Sequence, residues 1–222
     1  MYAVTPRLLL CLVAALVGLH SPRAAAAGNV EGSVTLVPMK PVPTGPGYDV
    51  RTKNPVQPPD DPRAIVYLER DDGVYPKSST GQVATIGQEG YQFRPAIAAV
   101  RTGSWVAFPN RDDEFHNVFS YSPSKRFDLG RFREDETSPL VKFDEPGLVK
   151  VYCEIHKHMR NLLLVLDTPW FTTTDATGAF VLTDVPAGEY KISALLPSED
   201  TLESRVTVVN GQTVQVEWSS EP

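Results

Sequence analysis

The chain has 222 residues, of which 41% are hydrophobic and 22% are charged, and its formal net charge is −6 at pH 7. This acidity does not fit a general nucleic-acid-binding protein, which needs positive charge to meet phosphates. The length is sufficient to bury one large core or two small cores without disulfide bonds.

Residues 1–27 have the organisation of a secretory signal peptide. Arg7 supplies positive charge, the apolar run "LLLCLVAALVGL" follows, and four alanines before Gly28 offer small residues for cleavage. The apolar run is too short to span a bilayer, and no second long apolar run follows it. We therefore predict an exported or periplasmic protein whose mature chain has no membrane span; an uncleaved anchor is the alternative. Cleavage removes Cys11 and leaves Cys153 as the one cysteine.

Short apolar and β-branched stretches, separated by turns rich in Gly and Pro, predict an all-β chain. A Pro-rich stretch at 39–62 interrupts the pattern, because proline lacks the donor that a sheet or a helix needs. No segment has the pattern of a helix of three turns. The clearest predicted strands are 29–37, 64–69, 104–108, 114–119, 148–153 and 161–166.

The C-terminal part places turns between alternating strands, and "SRVTVVNGQTVQVEWS" predicts a hairpin whose turn is Asn210-Gly211. The stretch "TTTDATGAFVLTDVPAGEYKISA" resembles the second half of the carboxypeptidase regulatory-like, transthyretin-type β-sandwich. "EGSVTLV" and "AIVYLE" resemble its first half. The resemblance implies one small sandwich made by residues 28–70 and 169–222, with residues 71–168 inserted as a second domain. Two consecutive domains after an N-terminal extension are the alternative.

The segment "VYCEIHKHMR" concentrates soft metal ligands. Cys153, His156, His158 and Met159 lie within seven residues, in a chain with only 2 Cys, 4 His and 3 Met. A lone cysteine in an oxidising compartment is a liability unless it is buried or binds a metal. A thiolate and two imidazoles with a weak axial thioether form a blue-copper electron-transfer site, whereas zinc usually takes four firm donors. His116 is the histidine outside this cluster after cleavage, so we predict it as the second imidazole.

Residues 71–168 resemble the cupredoxins of the plastocyanin and amicyanin group. "FRPAIAAVRTGSWVAFPNRDDEFHNVFS" is similar to that family's run up to the first histidine ligand, and "PGLVKVYCEIHKHM" is similar to its final ligand loop. The resemblance implies a Greek-key β-sandwich with one copper per chain, Cu(I) or Cu(II), held by His116, Cys153, His156 and Met159. The chain also resembles methylamine utilisation protein-like exported cupredoxins, a label that we do not extend to a substrate or pathway.

The sequence also supports predictions for the residues next to these ligands. The resemblance implies that Asn117 forms hydrogen bonds that tie the ligand loops together, while Glu154 stands where many relatives have a small hydroxyl residue. His158 is an additional imidazole, for which we expect an exposed loop position. Replacement of Met159 in the oxidised site, or a response to pH, is the alternative for His158. Core packing is the alternative for Met159, and a hydrogen-bonded strand position is the alternative for His116.

These features predict an electron carrier and not an enzyme. In related multidomain copper proteins, oxidase or nitrite-reductase activity needs a further histidine-rich copper site. The three histidines that remain after signal cleavage leave too few for one. Scattered carboxylate pairs, such as Asp60-Asp61 and Asp112-Asp113, are expected to be turn and surface residues. Copper storage, delivery or sensing without electron transfer is the alternative function, although the chain has no Met-rich or His-rich tract.

In the resembling family, the histidine equivalent to His156 exposes its ring edge and is the electron port. Lys157, His158 and Arg160 would then surround that port with positive charge. We expect this charge to steer docking of a redox protein partner, such as a c-type cytochrome or a dehydrogenase. An ordinary solvated loop is the alternative.

Overall fold

Every regular element in the described part of the chain is a β-strand, which confirms the all-β prediction. The computed structural model describes residues 27–37, 56–77, 82–134 and 136–219. Residues 1–26 of the predicted signal peptide and most of the Pro-rich stretch lie outside the described residues. Within the described segments, no helix is long and apolar enough to cross a membrane.

The strands are short and follow one another closely. In chain order they are β1 (Ala27–Val34), β2 (Ile65–Glu69), β3 (Val83–Thr85), β4 (Gly87–Gln88), β5 (Phe93–Arg94), β6 (Ile97–Arg101), β7 (Ser104–Ala107), β8 (His116–Ser122), β9 (Lys125–Phe132), β10 (Leu140–Phe143), β11 (Gly147–Tyr152), β12 (Arg160–Leu166), β13 (Phe171–Thr173), β14 (Ala179–Pro186), β15 (Gly188–Leu195), β16 (Thr201–Val208) and β17 (Thr213–Trp218).

These strands form four sheets and a small ribbon. Sheet I has the order β14-β1-β17, sheet II β13-β2-β15-β16, sheet III β6-β12-β11-β8-β9 and sheet IV β10-β7-β3, while β4 and β5 pair as the ribbon. One apolar core lies between sheets I and II and includes Val30, Tyr190 and Ile192. A second core lies between sheets III and IV and includes Phe108 and Phe143.

Sheets II and III also pack against each other, through a third apolar cluster. Ile65 and Leu195 of sheet II contact a row of leucines on β12, Leu162, Leu164 and Leu166. Successive side chains of a strand point to opposite faces, so β12 buries these three on one side and its other apolar residues in the second core. The continuous apolar runs "IVYL" and "LLLVL" therefore belong to strands that are covered on both faces.

The first core uses residues from both ends of the described chain, and the second uses residues between 82 and 166. The third cluster joins the two units into one stack of sheets in the order I, II, III, IV. The boundaries of the two domains stay a prediction.

The predicted C-terminal hairpin is wrong. A turn does lie at Asn210-Gly211, where Gly211 has a φ of 70°. Strand β16 pairs with β15 in sheet II, however, whereas β17 pairs in parallel with β1 in sheet I. The chain therefore crosses from one sheet to the other at this turn, because the apolar faces of both strands are needed on opposite sides of the first core.

Candidate metal centre

Three of the predicted ligands meet at one end of the second core. His116 begins β8, Cys153 directly follows β11, and His156 lies in the loop that joins β11 to β12. One ligand atom from each of these residues lies within 4.8 Å of the other two, and all three residues are buried. Strands β8 and β11 are neighbours in sheet III, so the sheet itself brings His116 beside Cys153.

The donor atoms face one another. His116 Nδ1 lies 2.8 Å from His156 Nδ1, and Cys153 Sγ lies 3.8 Å from the same His156 nitrogen. Met159 is fully buried in the second core beside Cys153. Its N–H donates to the carbonyl of His156 at 2.9 Å, and its carbonyl accepts from the N–H of Cys153 at 3.4 Å. These bonds close the ligand loop into a compact turn.

Asp112 orients His116, and the expectation that Asp112 is a surface residue is wrong. Asp112 is 2% exposed, and its Oδ2 lies 2.9 Å from His116 Nε2. A proton on Nε2 that is donated to this carboxylate leaves the Nδ1 lone pair facing the other donors. Burial acts to lower the pKa of His116, but the hydrogen bonds and charge interactions with Asp112 and Cys153 together outweigh burial, and the pKa is raised. Ligating histidines usually donate their second N–H to a carboxylate, but the sequence does not distinguish Asp112 from Asp113 and Glu114, which also lie near His116 in the chain.

The thiol of Cys153 is prepared for ionisation. Burial acts to raise its pKa, but hydrogen bonds from His116, His156 and the backbone at Asn117 outweigh burial and lower the pKa to about 6. The thiolate is the form of cysteine that binds metals.

Asn117 connects the two ligand segments. Its Oδ1 accepts a hydrogen bond of 2.6 Å from the N–H of Glu154, the residue after Cys153. The Glu154 side chain points away from the site and forms an exposed ion pair with Arg131 at 3.2 Å. Asn117 therefore fixes the ligand loop against β8, and the carboxylate of Glu154 lies on the surface.

The exposed position expected for His158 is wrong. Only 8% of the residue is accessible to solvent, and its Nε2–H donates a hydrogen bond to the carbonyl of Tyr91 at 2.9 Å. Burial lowers the pKa of His158, and the nearby His156 and His116 lower it further. His158 therefore does not add positive charge to the surface around the site. Its ligation of a metal stays a prediction.

Tyr91 is a residue that the sequence analysis did not single out. Its ring stands nearly perpendicular to His116 and His156, with ring centroids 5.5 Å and 4.9 Å away. The Tyr91 ring packs against His156, and only 8% of His156 is accessible to solvent. The resemblance implies an exposed ring edge for His156, so this residue is more buried than expected. No local pattern identifies Tyr91, because it lies far from both histidines in the sequence.

The two cations proposed for docking are both exposed. Lys157 lies in the ligand loop beside His156. Arg160 begins β12 and lines a cleft together with Asp60, Asp61 and Glu199, so acidic groups lie close to it. Of these two cations, Lys157 is therefore the one that lies directly beside His156.

No protein-family model and no curated protein matches the chain. A Cu-containing nitrite reductase (NirK) from Thermus scotoductus SA-01 is 22% identical over 42% of this chain, with a TM-score of 0.37. The match spans only 24% of that nitrite reductase. An oxidised variant of amicyanin is 20% identical over 38% of this chain and 82% of its own, with a TM-score of 0.35. A purple cupredoxin from Nitrosopumilus maritimus is 22% identical over 37% of this chain and 99% of its own, with a TM-score of 0.34.

These scores and identities are low, so the nature of the site has to be judged from its donors. A thiol with a lowered pKa and two imidazoles suit soft or borderline transition metals such as copper and zinc, and not magnesium or calcium. Among the described residues, no carboxylate joins the donor cluster. Met159, three residues after His156 in the same loop, offers a thioether. This set fits copper, because thioether is a poor fourth ligand for zinc.

Proposed function

We propose that this protein is an exported single-copper protein that carries electrons through a site formed by His116, Cys153, His156 and Met159. The observation that supports it is the convergence of a thiol and two imidazole Nδ1 atoms in one buried cluster. The proposed export rests on the signal-like N-terminus, and the proposal includes no catalytic activity.

Residues around the site would keep the ligand atoms in fixed positions during electron transfer. Bound copper would supply a one-electron couple between Cu(I) and Cu(II). Asp112 keeps the His116 tautomer fixed, and Asn117 ties the Cys153 loop to β8. Burial of the donors keeps bulk water away from them. A site that changes little between oxidation states suits a carrier that accepts one electron from a reduced partner and gives it to an oxidised one.

The partner would be a redox protein with a negative or mixed patch, such as a c-type cytochrome or a dehydrogenase. Lys157 lies next to His156, and exposed charge beside a port raises encounter rates more than affinity. Lys157→Glu should slow electron transfer to an acidic partner, and the effect should shrink at high salt. Lys77→Glu, an exposed lysine on a different segment, is the matched control. Equal rates and equal salt dependence for the Lys157 variant and the wild type would contradict the docking role.

The copper site is tested by spectroscopy of the mature protein with Cu(II). We expect an intense visible thiolate-to-copper band and a compressed copper hyperfine splitting in electron paramagnetic resonance, both lost in Cys153→Ser. Copper should also raise the melting temperature of the wild type much more than that of Cys153→Ser, because a ligand stabilises the state that binds it. A pale Cu(II) spectrum that is unchanged in the variant would overturn the proposal and favour copper storage or another metal.

A further inference from the structure

We propose that Tyr91 is a positioning residue that holds the imidazoles of His116 and His156 in their ligating orientation before a metal binds. The inference rests on the proposed function, because it assumes that these imidazoles are ligands. In this role Tyr91 acts through its ring and its backbone and not as a ligand.

The ring of Tyr91 restrains both imidazoles at once. It makes interplanar angles of 88° with His116 and 89° with His156, and the two imidazoles lie 4.6 Å apart between their centroids. Perpendicular aromatic contacts of this kind favour a defined relative orientation. A ring that touches both histidines limits rotation of either one, including the flip that would turn Nδ1 away from Cys153.

The backbone of Tyr91 reaches the same site by two further contacts. Its N–H donates to Asp112 Oδ2 at 2.9 Å, and this oxygen also faces His116 Nε2. Its carbonyl accepts from His158 Nε2 at 2.9 Å. Tyr91 therefore contacts three histidines, two through its ring and one through its carbonyl. Its N–H also donates to the carboxylate of Asp112, which orients His116.

The backbone conformation of Tyr91 is one that a large residue rarely adopts. Its φ is 60°, in the left-handed region, and Gly90 before it has a φ of 64°. Non-glycine residues in this region persist where surrounding contacts hold them, often at functional sites. Here the contacts come from both sides: the N–H of Gly90 donates to Asp112 at 2.7 Å, and the carbonyl of Gly90 accepts from Gln57 at 2.9 Å.

The segment around Gln57 supports the turn from outside the site. A Cβ on Gly90 would lie 2.6 Å from the Gln57 side chain, so the two are in close contact. Arg94, which follows the turn, donates to the carbonyl of Pro58 at 2.8 Å. The turn that contains Tyr91 is thus held between this segment and Asp112, so the backbone that carries the ring is restrained on both sides.

The test separates the ring from the backbone turn. Tyr91→Asn removes the ring, and asparagine tolerates the left-handed conformation, so the turn and its contacts with Asp112 are kept. Tyr91→Phe keeps the ring. Phe143→Leu is a control for core packing, since Phe143 is fully buried in the same core and lies edge-on to Phe127. If Tyr91→Asn does not fold, Tyr91→Leu keeps the apolar volume without the aromatic ring.

The main readout is the set of imidazole resonances in nitrogen–proton NMR spectra of the metal-free protein. We expect the signals of His116 and His156 to broaden or split in Tyr91→Asn and to match the wild type in Tyr91→Phe and Phe143→Leu. Copper affinity, measured by competition with a chelator, should fall about 10–100-fold in Tyr91→Asn, as for other residues that orient ligands. The hyperfine splitting should change with it.

Wild-type imidazole signals and wild-type copper affinity in a folded Tyr91→Asn would overturn the positioning role. Equal disturbance by Phe143→Leu would also overturn it, since any loss of core packing would then have the same effect. If the wild-type protein lacks the thiolate-to-copper band, the proposed function fails. The imidazole signals of the metal-free variants still decide whether Tyr91 positions the histidines.

Discussion

The metal-site end of the second core and the contact between sheets II and III are held together by different forces. At the metal-site end, buried polar groups meet in pairs with defined partners, as Asp112 does with His116 and Asn117 with Glu154. Between the sheets, aliphatic side chains such as Ile65 and Leu164 pack together in an apolar cluster. Both regions include part of β12. The metal-site end lies at the start of the strand, and the apolar contact lies along the face of the strand that packs against sheet II.

The difference separates stability from geometry. Hydrogen bonds depend on distance and angle, so they fix where individual atoms lie. Apolar burial is not directional and stabilises the fold roughly in proportion to the area removed from water. Changes at the polar end should therefore alter the site as well as stability, and changes at the apolar contact should lower stability and leave the site's spectrum intact.

Asp112→Ala should have the largest effect. The substitution leaves the raised-pKa imidazole of His116 and the N–H groups of Gly90 and Tyr91 without their acceptor, and losing one partner of such a buried pair costs about 3–5 kcal/mol. Urea unfolding gives the stability, and the thiolate-to-copper band should be lost or shifted. Asp113→Ala changes the exposed neighbour and should stay within about 0.5 kcal/mol of the wild type. Similar values for both variants would contradict the role of Asp112.

Ile65→Ala should weaken the contact between sheets II and III. Truncation of a fully buried isoleucine costs about 2–5 kcal/mol, through lost burial and the cavity that remains. Thermal and urea unfolding measure the cost, and Leu140→Ala, at an exposed leucine, is the control. We expect the copper spectrum of Ile65→Ala to be that of the wild type. A changed spectrum would mean that the apolar contact also sets the geometry of the site.

Asn117→Ala should cost less stability and still disturb the site. It leaves the N–H of Glu154 without the acceptor it has at 2.6 Å, and an unsatisfied group of this kind costs about 1–3 kcal/mol. Broader copper hyperfine lines should accompany the loss, because the Cys153 loop is less restrained. Glu154→Gln keeps the N–H and alters only an exposed side chain, so it should resemble the wild type. An undisturbed spectrum in Asn117→Ala would count against the tie between the loops.

Lys191→Gln should have the smallest effect. Lys191 lies at the edge of the contact between sheets II and III, where it pairs with Glu69 at 2.8 Å and with Glu203 at 3.2 Å. These ion pairs raise the pKa of Lys191. The side chains are more than a third exposed, so solvent screens the pairs, and the loss should be at most about 1 kcal/mol. Urea unfolding at low and high salt measures it. A loss comparable to that of Ile65→Ala would show that charge contributes to this contact as much as apolar packing does.

Local sequence patterns predicted the strands well, because strand formation depends on near neighbours in the chain. The crowding of soft ligands in one short segment draws attention to that loop, and its resemblance to a known ligand loop implies Cys153, His156 and Met159 as ligands. The scarcity of histidine in the sequence points to His116. The ligation of a metal by these residues stays a prediction. The structure places Asp112 and Tyr91 beside them through contacts made by the fold, and an Asp-Asp pair in a polar stretch carries no mark of burial.

The sheet arrangement was harder to predict than the strands. Alternation along β16 and β17 indicates which side chains are buried, but it does not indicate which strand pairs with which. Asn210-Gly211 fits a hairpin turn, yet the same turn also suits a crossing between two sheets that face one core. The covered outer face of β12 had a visible signal, since its apolar run is longer than an alternating strand allows.

The row of leucines on β12 has a practical consequence for anyone who wishes to excise the segment that contains the candidate metal centre. A fragment of residues 71–168 would carry Leu162, Leu164 and Leu166 without Ile65 and Leu195 to cover them. Exposed apolar patches of this kind promote self-association. Such a fragment would need polar replacements on this face to remain monomeric, even though every proposed copper ligand is still present in it.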